Sequence, residues 1–269
     1  MMASEHRRAG LRFNVAESGD GATLLLQHGL CGDAAQPQDL FPPGIGWRCL
    51  TLECRGHGGS DAGASDGFSI AAFADDVASL IEARAFAPVA LGGVSLGAAI
   101  ALRLAALRPK LVRALVLVRP AWLDEAAPAN MRPNALVGDL LAGFPAPEAR
   151  ARFEASPIAQ QLQREAPDNL ASLRGFFSRQ PLAVTRDLLR RIAADGPGAA
   201  PDQIAAIAAP TLVIGCARDF IHPPALARSL AEKIPFARFV EVAAKADDAL
   251  LYRNETRAAL AAFLKEISP

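Results

Sequence analysis

The sequence predicts an α/β fold: a mainly parallel sheet with helices on both faces, interrupted by a helical insertion. Three observations predict it. Short apolar runs alternate with segments of helical period along most of the chain. Those runs are apolar nearly throughout, as expected of strands buried on both faces of a sheet. The rhythm fails once, between about 121 and 205, where proline-rich sequence without a strand pattern takes over.

The elements follow in order. ATLLLQHG (22–29) ends in His-Gly, and WRCLTLECRGHG (47–58) ends in a glycine-rich turn. Over 69–84, Phe73, Val77, Leu80 and Ile81 share one helical face, with Asp75, Asp76 and Glu82 elsewhere. PVALGGVS (88–95) is the next strand, and 96–107 behind it is apolar nearly all round, which suits an interior helix. LVRALVLVRP (111–120) follows. The interrupting segment has helical pieces at 157–165 and 181–194 and leaves through the loop DGPGAAPD (195–202). PTLVIGCARD (210–219) returns to the sheet. In 254–267, Leu260, Phe263, Leu264 and Ile267 share one face behind a candidate Asn254 cap. The expected organisation is a core of 1–120 and 206–269, with 121–205 as a helical cap over the sheet's active edge.

Composition narrows the function classes. Of 269 residues, 51% are apolar and 21% charged, which is a globular balance with ample material for a core. Basic and acidic residues number 28 each, so no nucleic-acid partner is expected. No apolar run is long enough to span a bilayer, and MMASEHRRAGLRF lacks an apolar signal core, so no membrane association and a cytoplasmic location are expected. Cys31, Cys49, Cys54 and Cys216 form no CxxC pair and read as free thiols. His6, His28, His57 and His222 lack zinc spacing, so no metal is expected, and nothing points to a cofactor. The expected partner is a small-molecule substrate or ligand; oligomeric state is not encoded legibly.

The stretch LGGVSLGAAIAL (91–102) carries the chemistry. Ser95 stands between Gly93 and Gly97, after a strand and before a helix. A strand that turns sharply into a helix strains the turn residue, crowds its neighbours and lifts the hydroxyl clear of the backbone; small residues at i−2 and i+2 permit this. The following helix N-terminus turns positive partial charge toward the site. A phosphate loop would need Gly-Lys-Ser/Thr, whereas Ala98 and Ala99 follow Gly97, and GGVSLG is not a dinucleotide fingerprint. HGLCGD (28–33) ends the earlier strand, and the N–H groups of Leu30 and Leu96 are candidates for an oxyanion hole. Gly29 permits close approach of the two turns. His28 reads as the organiser of its loop rather than a base, and stands with Trp122 and Phe144 as a candidate substrate contact.

At these motifs the chain resembles the α/β-hydrolase superfamily. HGLCG, ECRGHGGSD, GGVSLG and GCARDFIHPPALARSLAEKIP arrive in that family's order over nearly the whole length, with Glu53 where aspartate is usual. The resemblance implies an α/β-hydrolase sheet, Ser95 as nucleophile and, after a late strand, an acid at Asp219, with Asp124 a weaker alternative. It also implies a histidine in the last loop before the final helix. This chain reads EVAAKAD (241–247) there, and no histidine follows His222.

Three readings of that absence stand open. His222, or else His57, serves as the base. Alternatively Lys245, Asp247 or Asp248 supplies acid–base function, which would favour proton transfer or lyase chemistry. In the third reading the protein is a non-catalytic small-molecule binder or degenerate hydrolase. The insertion's Trp122, Leu123, Met131, Leu136, Leu140, Leu141, Phe144, Phe153, Phe176 and Phe177 suggest an apolar ligand. Arg119 and Arg174 are candidates for a substrate carboxylate, and Cys31 is expected to be inert. The favoured reading is an enzyme acting on a small, apolar ester, thioester, amide or carbon–carbon bond, with Ser95, Asp219 and His222 as candidate catalytic residues.

Overall fold

In the computed structural model, which describes residues 2–268, eight strands form one sheet in the order β1-β2-β4-β3-β5-β6-β7-β8. The strands are β1 (Met2–Arg8), β2 (Leu11–Gly19), β3 (Ala22–Gln27), β4 (Trp47–Leu52), β5 (Val89–Val94), β6 (Val112–Val118), β7 (Thr211–Cys216) and β8 (Ala237–Val242). Only the β1–β2 and β2–β4 pairs are antiparallel; the other pairs are parallel. Strands β5 and β7 are buried at every position, as their continuous apolar runs require.

Helices cover both faces. On one lie α2 (Ile70–Ala83), α3 (Leu96–Leu107) and α10 (Pro224–Lys233); on the other lie α1 (Ala35–Leu40) and α11 (Ala249–Glu266). Helix α2 buries the face bearing Phe73, Val77, Leu80 and Ile81, and Ser69 Oγ caps it by accepting the Ala72 N–H. Helix α3 is interior, with buried residues all around its first two turns. Helix α11 begins earlier than the sequence suggests. Asp248, not Asn254, is its cap, accepting the N–H groups of Leu250 and Leu251.

Between β6 and β7 lie α4 (Arg132–Gly143), α5 (Ala146–Glu154), α6 (Pro157–Glu165), α7 (Pro167–Phe176), α8 (Leu182–Ala193) and the short α9 (Pro201–Ala205). Their buried residues, among them Phe153, Leu162, Leu173 and Leu189, join the same apolar cluster as α2 and α3. Polar bonds fasten the segment as well: Trp122 Nε1 donates to Asp195 O, and Arg179 donates to the carbonyls of Cys31 and Gly56.

Topology positions the site. From β3 the chain runs outward to β4, and from β5 it runs to β6 on the opposite side, so the two turns flank the point where strand order reverses. Ligands bind outside the carboxyl ends of parallel strands at such a point. Register aligns those ends: Gln27 stands beside Gly93, Val94 beside Val118, and Val118 beside Ile214.

Candidate active site

Ser95 occupies the turn between β5 and α3 with φ 56° and ψ −110°, a left-handed backbone that a serine adopts only under constraint. The Ser95 N–H donates to Val118 O (3.0 Å), and the Ser95 carbonyl accepts from Ala98 and Ala99 to open the helix. A Cβ on Gly93 would run into the Gly97 backbone, and one on Gly97 would run into the Gln27 carbonyl. The glycines are therefore demanded by close backbone approach between the turn and β3.

The turn after β3 is held by two buried histidines. His28 Nδ1 donates to Gly29 O (2.8 Å), and its Nε2 accepts the Cys54 N–H (3.0 Å). His57 Nδ1 donates to Arg55 O (2.9 Å), and its Nε2 accepts the Cys31 N–H (2.9 Å). Both rings are fully buried, and burial lowers both pKa values. With each Nε2 lone pair committed to a backbone N–H, neither ring can take a proton from Ser95. Glu53 completes the scaffold, accepting the N–H groups of Ala34 (3.0 Å) and Gly59 (2.6 Å) and the Asn14 amide (2.9 Å).

His222 is placed differently. Its Nε2 lies 2.9 Å from Ser95 Oγ, and its Nδ1 lies 2.9 Å from Asp219 Oδ1. Asp219 also accepts the His222 backbone N–H (3.0 Å), so one carboxylate sets both the loop and the ring. Its other oxygen accepts Arg119 Nε (2.5 Å), and Arg119 donates onward to Asp168 on α7 (3.0 Å). Asn169 Oδ1 accepts the N–H groups of Phe220 and Ile221, both at 2.9 Å, and so clamps the two residues between acid and ring.

These contacts set protonation. Burial alone would raise the Asp219 carboxyl, but the His222 ring and the Arg119 guanidinium overcome it and hold the group far below the usual carboxylate range. His222 is lowered by burial first, against the pull of Asp219, with the Arg119 charge adding to the lowering. The imidazole is therefore neutral near pH 7, as a proton acceptor must be.

Among the described residues, the N–H groups of Leu30 and Leu96 have no acceptor. Leu96 opens α3, and Leu30 follows the close approach of Gly29, where an added Cβ would lie 3.5 Å from Ser95 Cβ. A cavity of about 90 Å³ lies over Ser95, lined also by Leu30, Met131, Asn134, Asn169, Ser172, Phe176, Ile221, His222 and Lys245.

Several expectations need correction. His28 is sealed inside its loop and cannot touch a ligand. Trp122 is buried with its ring N–H spent on Asp195 O, and Phe144 stacks under the Arg152 guanidinium, so neither lines the cavity. Of the insertion's candidate apolar residues only Met131 and Phe176 reach it, because the others pack the helices against one another. Arg119 is committed to Asp219 and Asp168, and Arg174 pairs with Glu154 (2.7 Å). Asp247 is exposed and paired with Arg218, and Asp248 is a helix cap. Of the residues in the last loop, Lys245 reaches the cavity. Cys31 is desolvated, which pushes its thiol up to about 12 and leaves it unreactive. The sequence reading missed Asn134, Asn169 and Asp168; no motif marks them, since they are polar positions on helices whose orientation only packing decides.

Comparison with known proteins agrees with this architecture. The family model described as the alpha/beta hydrolase fold matches residues 22–253. A Mycobacterium tuberculosis protein named non-heme bromoperoxidase BpoC is 30% identical over 236 residues, covering 86% of this chain and 88% of its own. Carbamate hydrolase RutD of Variovorax paradoxus is 32% identical over 232 residues, covering 82% and 83%. The solved structure of Rv0554 from Mycobacterium tuberculosis superposes with a TM-score of 0.71 at 26% identity, over 100% of both chains. The chain belongs to the alpha/beta hydrolase fold family.

Proposed function

We propose that the protein is a serine hydrolase of small molecules, in which Ser95, His222 and Asp219 form the catalytic triad and the histidine comes from the acid's own loop. The observation that carries this reading is the ring of His222, with Ser95 Oγ on one nitrogen and Asp219 on the other, each at 2.9 Å. A base needs hydrogen-bond reach to the proton it abstracts and a third group to orient it. In this reading Ser95 Oγ attacks the carbonyl carbon of a small ester, thioester or amide while His222 Nε2 takes the hydroxyl proton. The negative charge that develops on the carbonyl oxygen is met by the N–H groups of Leu30 and Leu96. Collapse of the adduct expels the leaving group, which receives the proton from His222. Water then repeats the sequence on the acyl-serine and releases the acid. Asp219 stays ionised and steadies the imidazolium.

The segment 121–205 acts as a cap in this reading. It supplies one wall of the cavity and, through Asp168 and Asn169, holds the loop that bears the base. Relatives named for carbamate hydrolysis accord with acyl-transfer chemistry. Incubation with a fluorophosphonate probe tests the reading: labelling of the native protein, lost in Ser95→Ala and His222→Ala, is expected. Absence of labelling from pH 6 to 9, together with binding of small esters without turnover, would establish a binding protein instead.

A further inference from the structure

We propose that Lys245, at the wall of the cavity that holds Ser95, selects substrates that carry a carboxylate in addition to the bond that is cleaved. The inference deepens the hydrolase reading by assigning a substrate class to the same site.

Lys245 is partly buried at the wall of the cavity that holds Ser95. The carboxylates that act on its charge, Asp168 and Asp219, are both taken by Arg119. Asp39, which borders the adjoining space, is paired with Arg253 at 3.2 Å, and Asp247 faces Arg218. Among the described residues the Lys245 ammonium has no hydrogen-bond or ion-pair partner. A cation drawn partly out of water beside a second cation, without its own counter-ion, is unfavourable unless something else uses it. The same crowding by burial and by Arg119 lowers its pKa, against the pull of Asp168.

Asn134 on α4 makes a separate demand on the same cavity. Its side chain is buried with 4% exposure, lines the same cavity, and its Oδ1 has no donor among the described residues. Native interiors rarely leave such an atom without a partner. The Lys245 ammonium suits a group that accepts charged hydrogen bonds, whereas the Asn134 carbonyl oxygen suits a hydroxyl or N–H donor elsewhere on the same molecule. A carboxylate meets the ammonium; the alkyl chain of a neutral ester does not. The space has an extension to receive the rest of such a molecule. Gln36, Val94, Arg119 and Lys245 also border an adjoining hollow of about 370 Å³.

Matched ester pairs test the inference and separate the two ends at which the carboxylate could sit. Monoethyl glutarate against ethyl pentanoate places it in the acyl part, and 4-acetoxybutyrate against butyl acetate places it in the alcohol part. A kcat/KM ratio favouring the carboxylate member of at least one pair is expected. Lys245→Met should lower that ratio by about tenfold to a hundredfold, the range of one charge-assisted hydrogen bond. Lys245→Glu should reverse the preference, and Lys233→Met, on the exposed end of α10, should leave the ratio unchanged. Preference for the neutral member in both pairs, or ratios insensitive to Lys245→Met, would overturn the inference. Equilibrium binding of monoethyl glutarate to the Ser95→Ala protein reads the same contact without turnover. A Kd that rises about tenfold with Lys245→Met supports the inference even if the hydrolase reading fails; a Kd that does not move refutes it.

Discussion

The imidazole of His222 reaches Ser95, 127 residues away in sequence, while its other nitrogen and its own backbone N–H rest on Asp219 only three positions earlier. Carboxylate and imidazole thus share one short loop after β7. The loop between β8 and α11, where the family resemblance places a histidine, is released from that duty and presents Lys245 instead.

If His222 is the base, its removal should cost nearly as much as removal of the nucleophile. His222→Ala and Ser95→Ala should each lower kcat/KM by about a thousandfold or more, and the double variant should be no worse than either, because members of a triad act as a unit. Asp247→His should gain nothing: residue 247 is exposed at the Arg218 pair, away from Ser95. Steady-state kinetics on short p-nitrophenyl esters checks both.

The pH profile should follow the neutral imidazole. Burial and Arg119 lower His222 below its ordinary 6.5, so activity should rise with pH and reach half its plateau below that value. Stability carries the same sign. The folded pKa values of His222 and Asp219 are both depressed, so their contributions are complete above about pH 6.5 and pH 3.8 and are lost as pH falls toward the folded values. Urea unfolding between pH 3 and 8 should show a midpoint that declines on the acid side.

Arg119→Met should be costly in two ways. It strips the cation from Asp219 and Asp168 and leaves buried carboxylates unpaired, a loss of about 3–5 kcal/mol by the measure of broken buried pairs. It also removes a positive charge that depresses His222, so the acid limb of kcat/KM should move to higher pH. Chemical denaturation and a pH–rate profile on the same preparation read the two effects separately.

Asn169→Ala should uncouple the insertion from the loop that bears His222. It leaves the Phe220 and Ile221 N–H groups without their acceptor, at about 1–3 kcal/mol for each donor left buried and unpaired. With the ring less firmly held, kcat should fall about tenfold, since small misplacements of reacting groups are expensive. The thermal midpoint and kcat should fall together; a loss of stability with kcat intact would make Asn169 a packing residue only.

Much of the fold was legible because its signals are local. Apolar runs within 22–29, 47–58, 88–95, 111–120 and 210–219 read as buried strands, and the glycines around Ser95 announced a crowded turn. The edge strands β1 and β8 escaped notice, as did β2 beside β1. They are partly exposed, so charged residues such as Glu5, Arg7 and Glu241 break their apolar pattern. The family resemblance pointed to Asp219, after a late strand, and the structure sets its carboxylate against the His222 ring. His222 stood as one of three open answers, because nothing local distinguishes it from His57 or from the residues of the last loop.

The sequence by itself determined the strand–helix alternation, the strained serine corner and the absence of a late histidine, since each depends on neighbours in the chain. Only the tertiary structure decided which nitrogen is free. The lone pairs of His28 and His57 are consumed by the N–H groups of Cys54 and Cys31, contacts 26 residues distant, whereas His222 Nε2 faces Ser95 Oγ. Hydrogen-bond partners across such separations are set by strand register and packing, and no local pattern of residues encodes them.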